Sequence, residues 1–210
     1  TFTDAKIDEI VALKPDLVFA FSDIQADITA SLMRAGLEVH AFNHRTVAGI
    51  FAMIRTVGAL IGEPDKAAAL SRDLDARLDA VRERSKSLTR RPRVYFEEWD
   101  EPMISAIGWV SELIEIAGGE NVFADRAFAQ AARDRFITAE EVVAAAPDII
   151  IGSWCGKGFK TEKVAARPGW DQIPAVRNRR LYEIKSSIIL QPGPAALTDG
   201  LEALVEIVLN

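Results

Sequence analysis

A twelve-residue segment occurs twice in this chain, and the repeat constrains the fold more than any other feature. The first copy, EIVALKPDLVFA, covers residues 9–20, and the second, EVVAAAPDIIIG, covers residues 141–152. Each copy reads as the end of an amphipathic helix, a Pro-Asp turn and a short apolar run typical of a buried parallel strand. The duplication predicts two similar α/β lobes facing each other across a cleft, although two unrelated helix–strand units would give the same pattern.

The composition excludes several classes of protein. The chain has 210 residues, of which 49% are hydrophobic, enough for one large domain or two small ones. Its net charge of −6 argues against nucleic-acid binding, which usually requires a basic face. No apolar run approaches the roughly 18–20 residues that span a bilayer, and residues 1–10 carry no recognisable secretory signal. The single cysteine, Cys155, excludes an internal disulfide and a cysteine-based zinc cluster.

Apolar periodicity, glycine caps and Pro-Asp turns predict alternating helices and strands along the chain. The expected strands are 17–21, 37–42, 93–97, 148–153 and 181–184. The expected helices are 4–14, 26–35, 47–61, 64–88, 105–117 and 138–146, with a looser helical stretch at 161–176 and a terminal helix opening at 192–194. Strands separated by helices imply βαβ units and parallel sheets.

The expected fold is therefore two α/β lobes with parallel central sheets joined by one long helix. The N-terminal lobe covers 1–63, the connecting helix 64–91 and the C-terminal lobe 92–210. A strand–loop–helix unit at 93–119 precedes the second copy of the repeat, whereas the first copy begins close to residue 1. If the lobes are equivalent, the N-terminal lobe is incomplete.

Ligands of open α/β sheets bind beyond the carboxyl ends of the strands, so the loops that follow strands are the candidate sites. Trp99 and Trp154 each follow an expected strand, where a tryptophan can present a flat, rigid face to a planar ligand. Either ring could instead fold back over its own core. Trp109 and Trp170 are expected to be packing residues.

Two further patterns near these loops bear on chemistry. The run 97–101 holds four carboxylates, which could bind a hard cation, but the spacing matches no EF-hand and a solvated acidic rim is expected instead. Cys155 lies beside glycines that allow close backbone approach, but His40 and His44 lie in the other half. No nucleophile elbow, dinucleotide fingerprint or phosphate-binding loop occurs. The sequence therefore predicts no catalytic residue and no metal site.

Several segments resemble a known family. VYFEEWDEP at 94–102, EIAGGENVF at 115–123, LYEIKSSIILQPGPAAL at 181–197 and the repeated Pro-Asp unit are similar to the periplasmic binding proteins of ABC importers for metal chelates, which serve cobalamin, haem and siderophores. The SWCGK and QPGP loops resemble the cobalamin-binding members most. The resemblance covers nearly all of the chain. It implies a rigid receptor whose long helix restricts lobe motion, and no enzymatic activity.

The resemblance also assigns residues. It implies ligand contacts, carried over by position, at Phe21, Ser22, Trp99, Trp154, Gly156, Gln191, Pro192 and Gly193. It implies docking on a membrane permease through one carboxylate on each lobe, Asp27 and Glu162. The implied function is to bind a corrinoid such as cobalamin between the lobes and deliver it to an ABC importer. Cobalamin is then a transported ligand and not a cofactor, and the protein is expected to work as a monomer in the periplasm or another extracytoplasmic space.

Two alternatives stay open. The first is a haem or ferric-siderophore receptor of the same fold. Haem sites usually supply a tyrosine or histidine ligand, yet Tyr95 and Tyr182 fall within expected strands, and siderophore sites favour arginine clusters, whereas the rim here is expected to be acidic. The second is an enzyme built around Cys155, because a fold alone does not decide function. The absence of a base near Cys155 in the sequence argues against it.

Overall fold

A computed structural model describes residues 4–209 of the chain, which divide into two compact units. The first unit ends at His44, and the second begins at Arg45. Within the described range, no helix combines the length and the apolar character that crossing a bilayer requires.

The first unit is built on the first copy of the repeat. Its elements are α1 (Ile7–Ala12), β1 (Val18–Ala20), a 3₁₀ turn (Asp23–Gln25), α2 (Ala26–Arg34) and β2 (Val39–Ala41). β1 and β2 pair in parallel, with Phe19 opposite His40. The strand–helix–strand order that the sequence predicts is confirmed, and each element is shorter than expected.

The second unit contains a five-stranded sheet with the order β4-β3-β6-β7, and β5 pairs with the beginning of β3. The strands are β3 (Arg93–Asp100), β4 (Met103–Ser105), β5 (Glu120–Asn121), β6 (Ile149–Gly152) and β7 (Leu181–Glu183). β3, β5, β6 and β7 are parallel, while β4 runs antiparallel to the end of β3. The strands that the sequence predicts in this sheet are parallel as expected, and β4, which the sequence does not predict, adds an antiparallel edge. Residues 98–100 extend β3 beyond its expected end at residue 97, because the hairpin with β4 gives this part of the strand a hydrogen-bonding partner.

Helices cover both faces of this sheet. One hydrophobic core lies under α3 (Val47–Leu60), α4 (Pro64–Ser85), α5 (Gly108–Ile116) and α10 (Leu201–Leu209), and the other under α6 (Ala139–Ala145), α7 (Thr161–Ala165) and α8 (Pro174–Arg177). α9 (Ser186–Ile189) precedes α10, which continues from a π-helical turn at Ala196–Gly200. The pleat of β6 serves both cores, because Ile149 and Ile151 face the first and Ile150 faces the second.

The looser helical stretch expected at 161–176 is broken into α7, a 3₁₀ turn (Trp170–Gln172) and α8. Pro168 and Pro174 interrupt it, since proline lacks the amide hydrogen that a helix interior needs. The long helix α4 is confirmed from Pro64 and ends at Ser85. Its buried residues belong to the core of the second unit. The division of the chain into an N-terminal lobe (1–63), a connecting helix (64–91) and a C-terminal lobe (92–210) stays a prediction.

The repeat is also visible in the backbone. In each copy the residue before the proline adopts a left-handed conformation, with φ 49° at Lys14 and φ 44° at Ala146. The two residues hold the same position in the twelve-residue alignment, so both copies turn from helix to strand in the same way. β1 and β6, the strands of the two copies, lie in separate sheets as expected.

Candidate functional site

The carboxyl ends of three parallel strands of the second unit lie side by side, where the sequence predicts the site. Glu97 of β3 is the register partner of Gly152 of β6, and Gly152 is the partner of Glu183 of β7. Trp99 and Trp154 each follow this row by two residues. Trp154 follows β6 after one intervening residue, Ser153, as expected. Trp99 instead lies within β3, in the hairpin with β4.

A buried carboxylate anchors this edge of the sheet. Glu97 is 0% exposed. Arg167 donates two hydrogen bonds to it, from Nη1 to Oε2 at 2.6 Å and from Nη2 to Oε1 at 2.9 Å. The Tyr95 hydroxyl donates at 2.7 Å, and the Trp154 indole Nε1 donates at 3.1 Å. Four hydrogen-bond donors, two of them on the Arg167 cation, compensate the buried charge, so Glu97 fixes the orientation of the Trp154 ring.

The same network perturbs two neighbouring groups. Burial raises the pKa of Tyr95 well above its ordinary value, and the charge of Glu97 and its hydrogen bond raise it further, against the opposing effect of Arg167. Burial alone would lower the pKa of Arg167, but its hydrogen bond and ion pair with Glu97 outweigh this and raise it. At neutral pH the network therefore holds a protonated phenol and a charged guanidinium.

A Pro-Gly turn places Arg167 for this task. Gly169 adopts φ 76°, and the turn brings the guanidinium 4.5 Å from the ring centre of Trp170. Trp170 is fully buried and Trp109 is buried with its Nε1 donating to the carbonyl of Ile189 at 2.9 Å. Both tryptophans are packing residues, as the sequence predicts.

Lys157 connects the two candidate tryptophans. Its Nζ lies 4.2 Å from the ring centre of Trp99 and 5.2 Å from that of Trp154. Oδ1 of Asp100 accepts a hydrogen bond from the same Nζ at 2.5 Å. Gly156, which precedes Lys157, is exposed and has a left-handed φ of 76°. The structure thus brings Trp99 and Trp154 together around one ammonium group.

The expected acidic rim is absent at three of its four positions. Glu97 is buried with Arg167, and Asp100 is paired with Lys157. Glu98 binds the buried Arg135, whose Nη2 donates to Oε1 at 3.1 Å. Each of these carboxylates has a cation at contact distance, so the prediction of a solvated acidic surface is wrong. At these three positions there is no unpaired carboxylate to repel an anionic chelate.

The loop after β6 is held at both ends by aromatic packing. Phe159 packs against Trp154 with ring centres 5.0 Å apart, and its backbone N–H donates to Oε1 of Glu183 at 3.1 Å. A Cβ on Gly152 would lie 1.7 Å from the Phe159 ring, so this strand end requires glycine. The exposed residues 155–158 therefore lie between two buried aromatic residues, Trp154 and Phe159.

The third predicted ligand loop of the second unit lies between α9 and α10. Gln191 and Gly193 are partly exposed and Pro192 is buried. The Gly193 N–H donates to the Gln191 carbonyl at 2.8 Å, which makes this segment a tight turn. Its role in ligand binding stays a prediction.

In the first unit, the predicted ligand residues follow β1. Ser22 caps the 3₁₀ turn: its Oγ accepts from the N–H of Ile24 at 3.5 Å and donates to Asp23 at 3.0 Å. The Phe21 N–H donates to the side chain of Gln25 at 2.9 Å. Phe21 and Ser22 therefore sit in a loop that is braced by its own side chains.

The two predicted docking carboxylates are exposed in the first turns of helices. Asp27 lies in the first turn of α2, and Glu162 lies in the first turn of α7, a helix of five residues. The exposure that docking requires is present at both, and their role stays a prediction.

Sequence reasoning missed Lys157, Arg167 and the paired role of Tyr95. Lys157 carried a weak signal, because it stands between two glycines directly after a strand. The pair of Tyr95 and Glu97 carried a stronger one, since residues two apart on a strand share a face, and a carboxylate on the face of a buried tyrosine needs a cation. Nothing local marks Arg167 as that cation.

The cysteine that an enzymatic role would use is exposed. Both histidines belong to the first unit. Among residues 4–209, no group of three or more histidine, cysteine, aspartate or glutamate side chains is placed to hold a metal ion.

Comparison with known proteins gives the same family as the motifs. The family described as periplasmic binding protein matches residues 1–188. The uncharacterized ABC transporter substrate-binding lipoprotein YvrC of Bacillus subtilis (strain 168) is 27% identical over 213 residues, covering 97% of this chain and 65% of the lipoprotein. The vitamin B12-binding protein of Vibrio parahaemolyticus is 27% identical over 201 residues, covering 94% of this chain and 70% of that protein.

Solved structures agree on the fold. A possible iron-binding (periplasmic solute-binding) protein from Staphylococcus epidermidis has a TM-score of 0.82 at 21% identity, covering 100% of this chain and 82% of its own. The periplasmic haem-binding protein RhuT from Roseiflexus sp. RS-1 has a TM-score of 0.78 at 24% identity, covering 98% and 81%. Because the family match extends over residues 1–188 and the fold agrees, this chain belongs to the periplasmic binding protein family.

Proposed function

We propose that this chain binds a corrinoid, a cobalamin-like metal chelate, at the carboxyl ends of its strands and delivers it to the permease of an ABC importer. Membership in the family supports a solute-binding role in import on the extracytoplasmic side of a membrane. The vitamin B12-binding relative supports the choice of ligand. The observation that carries the proposal is the corner where Trp99 and Trp154 share one polar cluster.

This corner has the chemistry that a large planar chelate with amide side chains requires. Trp99 is partly exposed, and its Nε1 is held by the Glu101 carbonyl at 2.9 Å, so its ring is fixed before a ligand arrives. A pre-oriented aromatic ring loses little entropy on binding. Asp100 offers an acceptor for amide N–H groups and Lys157 a donor for amide carbonyls, both beside the rings.

The haem alternative finds less support from Tyr95. Tyr95 is fully buried and its hydroxyl is bound to Glu97 at 2.7 Å, so it is not available as an axial ligand. The siderophore alternative stands as the second candidate, because three of the four carboxylates expected to repel anionic chelates are paired with a cation.

Calorimetric titration with cyanocobalamin, haemin and a ferric hydroxamate distinguishes these ligands. We expect cyanocobalamin to bind most tightly. Trp99→Ala is expected to weaken that binding by about 1–3 kcal/mol, the cost of truncating one aromatic contact. Phe128→Ala, which removes an aromatic side chain 47% exposed, is the matched control and should bind like the unmodified chain. Tighter binding of haemin or the ferric hydroxamate would overturn the choice of ligand.

We also propose that Asp27 and Glu162 dock on basic residues of the permease. Both are exposed carboxylates at helix beginnings, and exposed charge pairs mainly set the rate and register of encounter. Replacing both with lysine is expected to leave cyanocobalamin affinity unchanged and to abolish most ATPase stimulation in a reconstituted importer. Glu38→Lys with Asp171→Lys changes the net charge equally at two other exposed positions and serves as the control. Equal stimulation by both double variants would refute docking through Asp27 and Glu162.

A further inference from the structure

The ammonium group of Lys157 occupies the tryptophan faces that the proposed ligand would use. Its Nζ lies 4.2 Å from the ring centre of Trp99, 5.2 Å from that of Trp154 and 2.5 Å from Oδ1 of Asp100. Two indole rings and a carboxylate around one cation are the arrangement by which proteins recognise ammonium ligands. The chain therefore fills a cation site with its own side chain.

The segment that carries Lys157 can change conformation without disturbing the core. Lys157 stands between Gly156 and Gly158, and a Cβ at either glycine would meet nothing within 4 Å. The Lys157 side chain is 42% exposed, whereas Trp154 and Phe159, on either side of the loop, are buried. The ammonium can therefore leave the rings while both aromatic anchors stay in place.

We propose that Lys157 is a specificity-determining residue: it occupies the Trp99–Trp154 corner in the ligand-free chain, and a ligand displaces it by bringing its own cation or hydrogen-bond donor to Asp100. Asp100 is only 21% exposed, so losing its partner without replacement is unfavourable. An apolar ring without donors cannot replace the hydrogen bond from Lys157 to Asp100. A planar chelate with an amide N–H or ammonium at its edge can contact the indole rings and also donate to Asp100. The corner therefore selects chelates with donor-bearing edges over those with carboxylate edges.

The cation site can be tested without the transported ligand. Lys157→Ala should leave a site that fits the end of a lysine side chain, and n-butylammonium chloride is the probe. Tryptophan fluorescence is expected to change saturably in K157A, with an apparent affinity at least about tenfold tighter than in the unmodified chain, where the lysine competes. The change should disappear in K157A with Asp100→Asn. Lys160→Ala removes another exposed lysine of the same segment, and sodium chloride controls for ionic strength. Equal responses of K157A, K160A and the unmodified chain would overturn the proposal.

The second arm rests on the proposed function. K157A is expected to bind cyanocobalamin about three- to tenfold more tightly than the unmodified chain, because a competing exposed ion pair and cation–π contact are removed. K160A should bind as the unmodified chain does. Equal or weaker binding by K157A overturns the proposal, and weaker binding identifies Lys157 as a direct ligand contact. If no variant binds cyanocobalamin, the proposed function fails, and the butylammonium titration alone decides the role of Lys157.

Discussion

Replacing Arg167 with methionine tests whether the buried carboxylate of Glu97 depends on its cation. Glu97 is 0% exposed and would lose its two charge-assisted hydrogen bonds, of 2.6 Å and 2.9 Å, while keeping those from Tyr95 and Trp154. Removing one partner of a buried ion pair costs about 3–5 kcal/mol. Because the Arg167 side chain is 20% exposed, water can reach the gap, and we expect a loss near the lower limit.

Urea denaturation measures this loss. With an m-value of about 2–3 kcal/mol/M, a loss of this size lowers the denaturation midpoint by about 1 M. Glu97→Gln added to Arg167→Met should recover most of the stability, since a neutral amide can still accept from the indole through its oxygen and can donate to the phenol oxygen through its NH2 group. Arg133→Met, at a mostly exposed arginine, is the control and should change stability by less than about 0.5 kcal/mol.

The comparison between the single and double variants decides the reasoning. If Arg167→Met and the double variant with Glu97→Gln are equally destabilised, the unpaired charge is not the cause. The loss would then belong to the packing of the guanidinium on Trp170, whose ring centre lies 4.5 Å away.

Three further results are expected from the structure. Trp154→Ala should cost about 3–5 kcal/mol of folding stability in thermal denaturation, because this ring is buried, whereas Trp99→Ala should cost much less. Burial and a neighbouring carboxylate raise the pKa of Tyr95. The stability that its protonated phenol contributes is therefore fully present below the unfolded pKa of about 10 and is lost as the pH rises through the folded pKa. Tyr95→Phe should reduce this loss of stability at alkaline pH, as measured by urea denaturation. Gly152→Ala would place a methyl 1.7 Å from a neighbouring phenylalanine ring and should destabilise by about 1–3 kcal/mol, while Gly158→Ala, in open space, should not.

The fold was predictable where the signals are local. The helix that begins at Val47 is capped by the side chain of Thr46. The repeated Pro-Asp turn precedes a strand in both halves of the chain, as the sequence predicts. β4 was not predictable, because a three-residue strand is defined by its pairing with the end of β3 and carries too few residues for a pattern. The same pairing extends β3 through residues 98–100, beyond the strand expected at 93–97.

The position of the candidate site at the strand ends stays a prediction, and the charge pairing around it could not be predicted from the sequence. Four carboxylates in five residues look like a solvent-facing rim when read locally. Glu97 is buried because Arg167, 70 residues later, compensates it, and Asp100 is paired with Lys157, 57 residues later. Contacts at such separations leave no periodicity in the sequence, so the acidic rim expected at these residues was wrongly predicted.

The exposed loop 155–158 also carries a built-in attachment point. Cys155 is the single thiol of the 210-residue chain, is exposed and stands two residues before Lys157. A maleimide dye would therefore attach at one defined position, with no background from other cysteines and no engineered residue. An environment-sensitive fluorophore there would sit beside the tryptophan corner and report when Lys157 leaves it, which makes the unmodified chain a starting point for a reagentless optical sensor.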